Sequence, residues 1–431
     1  MRTLIWNALA ALASAALGQA AEPVRLNDLI REALARNPEV LAAQKRYEAA
    51  RQRPSQENSL PDPTLSLGYS SNGGPLPGQG LGIEPTSNVG FMVSQEIPYP
   101  GKRKLRGNIA AKEADVEFQQ YLAIQLNVRS RVIQAFHRLH HAYEVLDILS
   151  EGKGLLVQVI RVSEARYAAG KAAQQDILKA QTQLSILEAR IAEKQQDQDT
   201  NRAAINSLLN RKPGAPLGVP VDTEAEPLHL TVEQLLAKAA MMSPELRRAQ
   251  EMIQRNELAV NLARKDFHSD STVSGGYFYM GGMPAMYQFR VDIPIQIHRD
   301  QKQRAALDEQ VHRLNESRHD FEAADQNLQF RVREAYFAAQ TAYRLMKLYD
   351  DTILPQSSLT IESSLPAYET GGTDFLSVLT NVMTKIDSQE RYHEQRMMYE
   401  LARARLEELT TVALEDGSGT TRKTAGEDGG K

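Results

Sequence analysis

Cysteine is absent from the 431 residues, which excludes structural disulfides, cysteine-based zinc sites and a lipid-bearing cysteine behind a leader. Aromatic residues make up only 6% of the chain, little for the core of a compact enzyme of this size. Ala, Gln, Glu, Arg and Leu instead fill the long segments, as extended helical packing requires. Charge of one sign is also scarce: the net charge is −4, and no basic tract is present to draw nucleic acid. Long apolar runs are missing beyond the first twenty residues, so nothing later can cross a membrane as a helix. A soluble protein or a β-barrel remains.

Catalytic signatures are missing as well. The chain has no Gly-rich phosphate loop, no His-Glu-x-x-His zinc motif and no Gly-x-Ser-x-Gly elbow. Paired carboxylates such as Glu407-Glu408 are expected on a solvated helix, with neither base nor nucleophile beside them. The sequence therefore points away from an enzyme and implies no cofactor.

What is present begins with a secretory signal at 1–20. Met1-Arg2 supplies the positive end, Leu4 to Leu17 is apolar apart from Asn7 and Ser14, and Gly18-Gln19-Ala20 offers small residues for cleavage after Ala20. A tail at 415–431, rich in Gly, Thr, Lys and Asp, reads as disordered.

Between these ends the chain repeats itself with a period of about 200 residues, giving one repeat over 21–220 and a second over 221–414. Each opens on a helix with a Pro-Glu pair, Asn37-Pro38-Glu39 and Ser243-Pro244-Glu245. A strand, a Gly/Pro-rich turn and a second strand ending in Ile-Pro follow (Ile97-Pro98, Ile293-Pro294), and then a long helical stretch. Tyr167-Ala168-Ala169-Gly170 and Tyr368-Glu369-Thr370-Gly371 come later, each followed by an Asp and a Leu.

The strands alternate. Tyr287, Phe289, Val291 and Ile293 share one face against Gln288, Arg290 and Asp292; Val89, Phe91 and Val93 oppose Gly90, Met92 and Ser94; Leu65, Leu67 and Tyr69 oppose Thr64, Ser66 and Gly68. In the third strand Tyr277 and Tyr279 flank Phe278, whose side stays open. An ordinary half-buried sheet gives the same pattern as a lipid-facing barrel with a wet lumen, and the helices decide between them. Lys102 to Arg166 contains no proline and reaches roughly 100 Å as one helix, and Asp300 to Leu354 roughly 80 Å. Heptad-like spacing, as in Ile177, Leu184, Leu187 and Ile191, predicts tubes or coiled coils. Four strands cannot close a barrel, and open edges cannot sit in lipid, so several chains must share one; three give about twelve strands, with Gln288, Arg290 and Asp292 facing the lumen.

These features together resemble the TolC family of outer-membrane efflux proteins over nearly all of the chain up to about Thr411. The carriers are the duplication, Ile353-Leu354-Pro355-Gln356 with Tyr368-Glu369-Thr370-Gly371, and the helix Asp374-Phe375-Leu376-Ser377-Val378-Leu379. Leu60-Pro61-Asp62-Pro63 and Ile97-Pro98-Tyr99-Pro100-Gly101-Lys102-Arg103 resemble the heavy-metal branch. The resemblance implies a mainly α fold with a β-barrel portion: a homotrimeric α-barrel/β-barrel tube in outer-membrane lipid, extending into the periplasm. It also implies a periplasmic adaptor and a proton-driven, RND-type inner-membrane pump as partners, with passive export of small toxic solutes such as heavy-metal ions or drugs. The alternative is a periplasmic adaptor subunit, but an adaptor carries one helical hairpin, whereas two alternate with two ribbons here.

The resemblance also implies a periplasmic gate where the hairpins end, near Gly170-Lys171 and Gly371-Gly372. Asp176 aligns with a gate aspartate; where relatives carry an arginine partner and ring aspartates, this chain has Gly372 or Thr373, Ser377 and Thr380, so Asp374 or Lys171 is the substitute. Both aspartates also suit a plain helix N-terminus, or pairing with Lys171 or Arg166.

Two further groups stand out. His137, His140 and His141 have a spacing that places two imidazoles on one metal, and equally suits polar positions on an exposed helix, the preferred reading. Met280, Met283 and Met286 surround the second hairpin turn, where thioethers suit Cu(I) or Ag(I); Gly281-Gly282 and Pro284 account for the turn without a metal.

Overall fold

The computed structural model describes residues 23–72, 74–221 and 225–412; the expected signal at 1–20 and the tail at 415–431 lie outside them. In chain order the elements are α1 (Leu26–Arg36), α2 (Pro38–Ala50), α3 (Arg53–Asn58), β1 (Thr64–Ser70), β2 (Asn88–Ile97), α4 (Lys102–Ala168), α5 (Gln174–Leu208), α6 (Val232–Met242), α7 (Pro244–Lys265), β3 (Ser271–Tyr279), β4 (Met286–Asp292), α8 (Ala305–Leu348), α9 (Leu354–Thr370) and α10 (Phe375–Thr410). Short π-helical turns, Asp300–Arg304 and Tyr349–Ile353, lead into α8 and α9.

The sequence repeat explains the helix starts. Pro38 and Pro244 each open a helix, where a missing N–H costs nothing, and the following Glu39 and Glu245 favour the helix dipole. Asn37 caps the first: its Oδ1 accepts the Glu39 N–H at 2.9 Å, and its Nδ2 donates to the Leu208 carbonyl at 2.9 Å. A capping box between Thr231 and Gln234 starts α6.

One helix outruns expectation. The stretch expected to end at Leu354 stays helical to Thr370. Pro355 has no N–H and its ring crowds the carbonyl four residues back, so the backbone widens into the π turn at 349–353 instead of breaking.

The chain forms two compact units, one of residues up to Leu41, Ile124–Ser243 and Asn327 onward, the other of Ala42–Ala123 and Pro244–Gln326. Each takes part of both repeats, so the units cut across the boundary near residue 220.

In the first unit a continuous apolar seam joins four helices. Val145, Leu149, Leu156 and Val159 of α4 meet Ala180 and Leu187 of α5, Ile361 and Tyr368 of α9, and Phe375, Val378, Val382 and Ile386 of α10. Their three- and four-residue spacing places one stripe of each helix inward. Gly152 permits the closest approach: a Cβ there would lie 2.5 Å from Ile386 Cδ1.

The second unit holds the sheet. Its order is β1-β2-β3-β4, all antiparallel. Register aligns the expected apolar rows: Leu67 faces Phe91, Phe91 faces Tyr277, and Tyr277 faces Tyr287. Phe278 lies on the opposite face, paired with Gly90 and Met286. The apolar face is bare in the single chain, with Tyr287 80% and Phe289 75% exposed.

A buried lysine pins the strand-to-helix step in this unit. Lys102, 3% exposed, opens α4 and sends its ammonium to Asp270 at 3.0 Å, Asp266 at 3.2 Å and the His268 carbonyl at 2.8 Å. Asp270 also accepts the Tyr99 N–H at 2.7 Å, and Tyr99 stacks on His268 with centroids 4.3 Å apart. Burial disfavours the Asp270 carboxylate, yet the Tyr99 N–H and Lys102 outweigh it and hold its pKa below the ordinary value.

Candidate functional site

The two helical hairpins of the first unit end in the same turn. Gly170 (φ 69°) and Gly371 (φ 88°) take the left-handed conformation that lets a helix reverse. The Lys171 N–H reaches back to the Arg166 carbonyl at 2.8 Å, and the Gly372 N–H to Ala367 at 2.7 Å, the six-residue closure of a Schellman end.

Arg166 joins the two ends. Its guanidinium donates to the Tyr368 carbonyl and to the Lys171 carbonyl at 3.4 Å, and lies over the Tyr368 ring, 4.6 Å from the centroid. The ring is buried, and its hydroxyl meets the Ser163 hydroxyl at 3.1 Å. Sequence reasoning named Arg166 only as an aspartate partner and missed this clamp. The signal lay in the repeat itself: Tyr167 and Tyr368 are equivalent, but the preceding residue is Arg166 in one half and Ala367 in the other. One equivalent tyrosine is exposed and the other enclosed.

The two aspartates separate in role. Asp374 caps α10: it accepts the Ser377 N–H at 3.0 Å and the Ser377 hydroxyl at 2.6 Å. The hydroxyl first, then the N–H, hold its carboxyl pKa below the usual value. Asp176 sits in the first turn of α5, half-buried, after Ala173, whose side chain provides no cap. Neither aspartate pairs with Lys171 or Arg166 among the described residues. Lys171, Gly372, Ser377 and Thr380 are exposed around these ends.

The histidines depart from expectation. His137 is buried, because α4 packs against α10 there, and it lies 3.9 Å from Glu400. His140 and His393 share Glu144, at 3.5 and 3.6 Å. Among the described residues no three His, Asp or Glu side chains are placed to hold a metal. Glu407, expected in solvent, is also buried against α4 and pairs with Arg129 at 2.9 Å.

In the second unit Gln288, Arg290 and Asp292 share the polar sheet face, with Arg290 paired to Asp292 at 2.9 Å. The second hairpin turn is fixed by backbone: the Met280 carbonyl accepts the Gly82 N–H at 3.0 Å, and a Cβ on Gly281 would lie 2.5 Å from the Gly82 nitrogen. Met286 opens β4 opposite Phe278, and Met283 is half-buried in the turn. The carbonyl of Met280, and not its thioether, makes the contact that shapes this site.

The sequence profile of the family described as outer membrane efflux protein matches residues 29–211. Among curated proteins, a sequence comparison finds no match. Solved structures share the fold. The outer membrane protein VceC of Vibrio cholerae is 16% identical, with 90% of this chain and 97% of that one covered and a TM-score of 0.75. The Campylobacter jejuni CmeC outer membrane channel is 15% identical over 89% and 85%, with a TM-score of 0.74. The open state of the Neisseria gonorrhoeae MtrE outer membrane channel is 19% identical over 90% and 89%, with a TM-score of 0.65.

Proposed function

We infer that this chain, a member of the outer membrane efflux protein family by its match over residues 29–211, is the outer-membrane channel of a tripartite efflux system. It is a passive conduit, completed by a periplasmic adaptor and an RND-type inner-membrane pump. The observation that carries this reading is the sheet: one face bears an exposed apolar row, the other is small or polar apart from Met92, Phe278 and Met286, and both outer edges are open in the order β1-β2-β3-β4. Lipid would leave those edge groups unsatisfied, so the barrel closes only when copies join, three of them giving about twelve strands. Its cargo is a small toxic solute, heavy-metal ion or drug.

Mass measurement in mild detergent tests the assembly and is expected to return three chains; a monomer or dimer as the sole species refutes it. Phe289→Arg places a charge on the lipid side at a cost of about 2–4 kcal/mol near the bilayer centre. It should abolish the assembled trimer, whereas Gln288→Arg, one residue over on the lumen side, should not.

The gate belongs at the hairpin ends, with Gly170 and Gly371 as the reversals, Arg166 as the clamp, and Asp176 as the carboxylate available to line a threefold ring. Lys171, Gly372, Ser377 and Thr380 surround the mouth, while Asp374 holds the start of α10. Three Asp176 copies about the axis would draw cations over a screening length of about 8 Å. Asp176→Ala should lower cation over anion selectivity in planar bilayers by about twofold to fivefold, the scale of exposed charges. Unchanged selectivity would leave Asp176 as a helix-start residue.

A further inference from the structure

We propose that the crossing of α4, α5 and α10 around four histidines is a proton-responsive release point, at which the closed packing of the first unit loosens as the medium acidifies. The proposal rests on the channel reading only where it concerns the gate. Four of the chain's nine histidines meet here: His137, His140 and His141 on α4, and His393 on α10. His141 faces a groove of about 590 Å³ that Val145 also lines, and Val145 begins the apolar seam running on to Tyr368 and Phe375. The ladder thus sits at one end of the packing that ends at the Arg166 clamp.

Charge in this region is one net negative away from balance while the imidazoles are neutral. On α4 the facing group is Glu144; on α5 they are Arg190, Lys194 and Asp197; on α10 they are Asp387, Glu390, Arg391, Glu394, Arg396, Glu400 and Arg403. Those are five cations against six carboxylates, so a first imidazolium is matched and each further one is in excess. Existing pairs already engage several of the carboxylates: Arg190 holds Asp387 at 3.1 Å and also pairs with Glu390, while Arg403 holds Glu400 at 3.3 Å. Burial raises the Glu390 pKa against the opposing pull of Arg190, so this carboxyl binds its proton more readily in the packed state and offsets part of what the histidines do.

His141 sets the direction. Its Nδ1 is buried without a hydrogen-bond partner, and burial first, then the charge of Lys194, lower its pKa from 6.5 to about 4. At His141 the packed state therefore binds fewer protons than a loosened one. Packing is fully favoured above pH 6.5 and loses ground as pH falls from there toward 4. Linkage through that shift alone favours the loosened state roughly thirtyfold at about pH 5, and the raised Glu390 pKa takes this back toward a net effect on the order of tenfold.

The test is hydrogen exchange on the full-length assembled protein in detergent with EDTA present, followed over residues 136–149 and 386–400 and corrected for intrinsic exchange. Between about pH 7.5 and about pH 5, protection in the wild type should fall on the order of tenfold. In His140→Gln/His141→Asn/His393→Gln it should fall less than about twofold. His141→Asn alone, at the half-buried position that sets the direction, should remove most of the response and serves if the triple variant fails to assemble. An equal fall in wild type and variants, or no fall in the wild type, overturns the proposal; so does a response that appears only without EDTA, which would assign it to a bound metal. Bilayer recordings should show open probability rising in acid for the wild type alone. Failure of every form to conduct would count against the channel reading, since the exchange result does not depend on conduction.

Discussion

Arg166→Ala is expected to hold the channel open. The substitution removes a charged hydrogen bond to the Tyr368 carbonyl and a guanidinium lying 4.6 Å above its ring, contacts that, with the Ser163–Tyr368 hydroxyl pair, tie one hairpin end to the other. A charged hydrogen bond contributes about 1.5–3 kcal/mol, and a partly desolvated cation–π contact about 0.5–2 kcal/mol more. Loss of about 2–3 kcal/mol per chain multiplies the open-to-closed ratio by roughly thirtyfold or more. Planar-bilayer recordings should therefore show a large rise in open probability, and cells should become sensitive to antibiotics too large for ordinary porins. Arg166→Lys keeps the charge but loses the planar fork, and should fall between. Wild-type closure in both variants would reduce the clamp to packing.

The second large effect is on assembly. Lys102→Met should cost about 3–5 kcal/mol, because it strands carboxylates around a site where the ammonium was enclosed. The lysine side chain is 4% exposed and meets Asp266 and Asp270 at 3.2 and 3.0 Å. Heat resistance of the assembled protein on gels, and its midpoint in urea, should both drop sharply. Asp270→Asn in the same chain should restore part of the loss by removing the unpaired charge, so the two changes will not add. In the wild type the Asp270 pKa is depressed, so its contribution is present above the ordinary carboxylate range and lost only as pH falls through the lowered value. Additive effects of the two substitutions would separate Lys102 from Asp270.

Much of this fold was legible because it repeats. Pro-Glu helix starts, alternating strands and a glycine after each hairpin come from local backbone chemistry, and all of them stand where the sequence put them. Interhelix contact was not legible. A helix face with His137 and a carboxylate at Glu407 read as solvated, since spacing along one helix does not say what packs against it; α4 and α10 supply each other's cover. The helical stretch read as far as Leu354 continues past Pro355, because a widened turn absorbs the proline. At the hairpin ends the sequence left Asp374 open between a gate charge and a helix start, and in the structure it caps α10 through Ser377. Arg166 was visible as a residue, but its reach across to Tyr368 spans 202 positions.

The order of the sheet has a bearing on how the chain is made. The central pairing is between β2 and β3, residues 89–97 against 271–279, so the inner seam of the ribbon cannot form until nearly two-thirds of the protein has been synthesised and exported. Until then β1 and β2 present an unpaired edge and a bare apolar face, the combination most prone to stick to other chains. Contacts so distant in sequence also form slowly. The first hairpin is therefore the segment most exposed to aggregation during the interval, and depletion of holding chaperones is expected to harm this protein through its amino-terminal half before the rest of the ribbon has arrived.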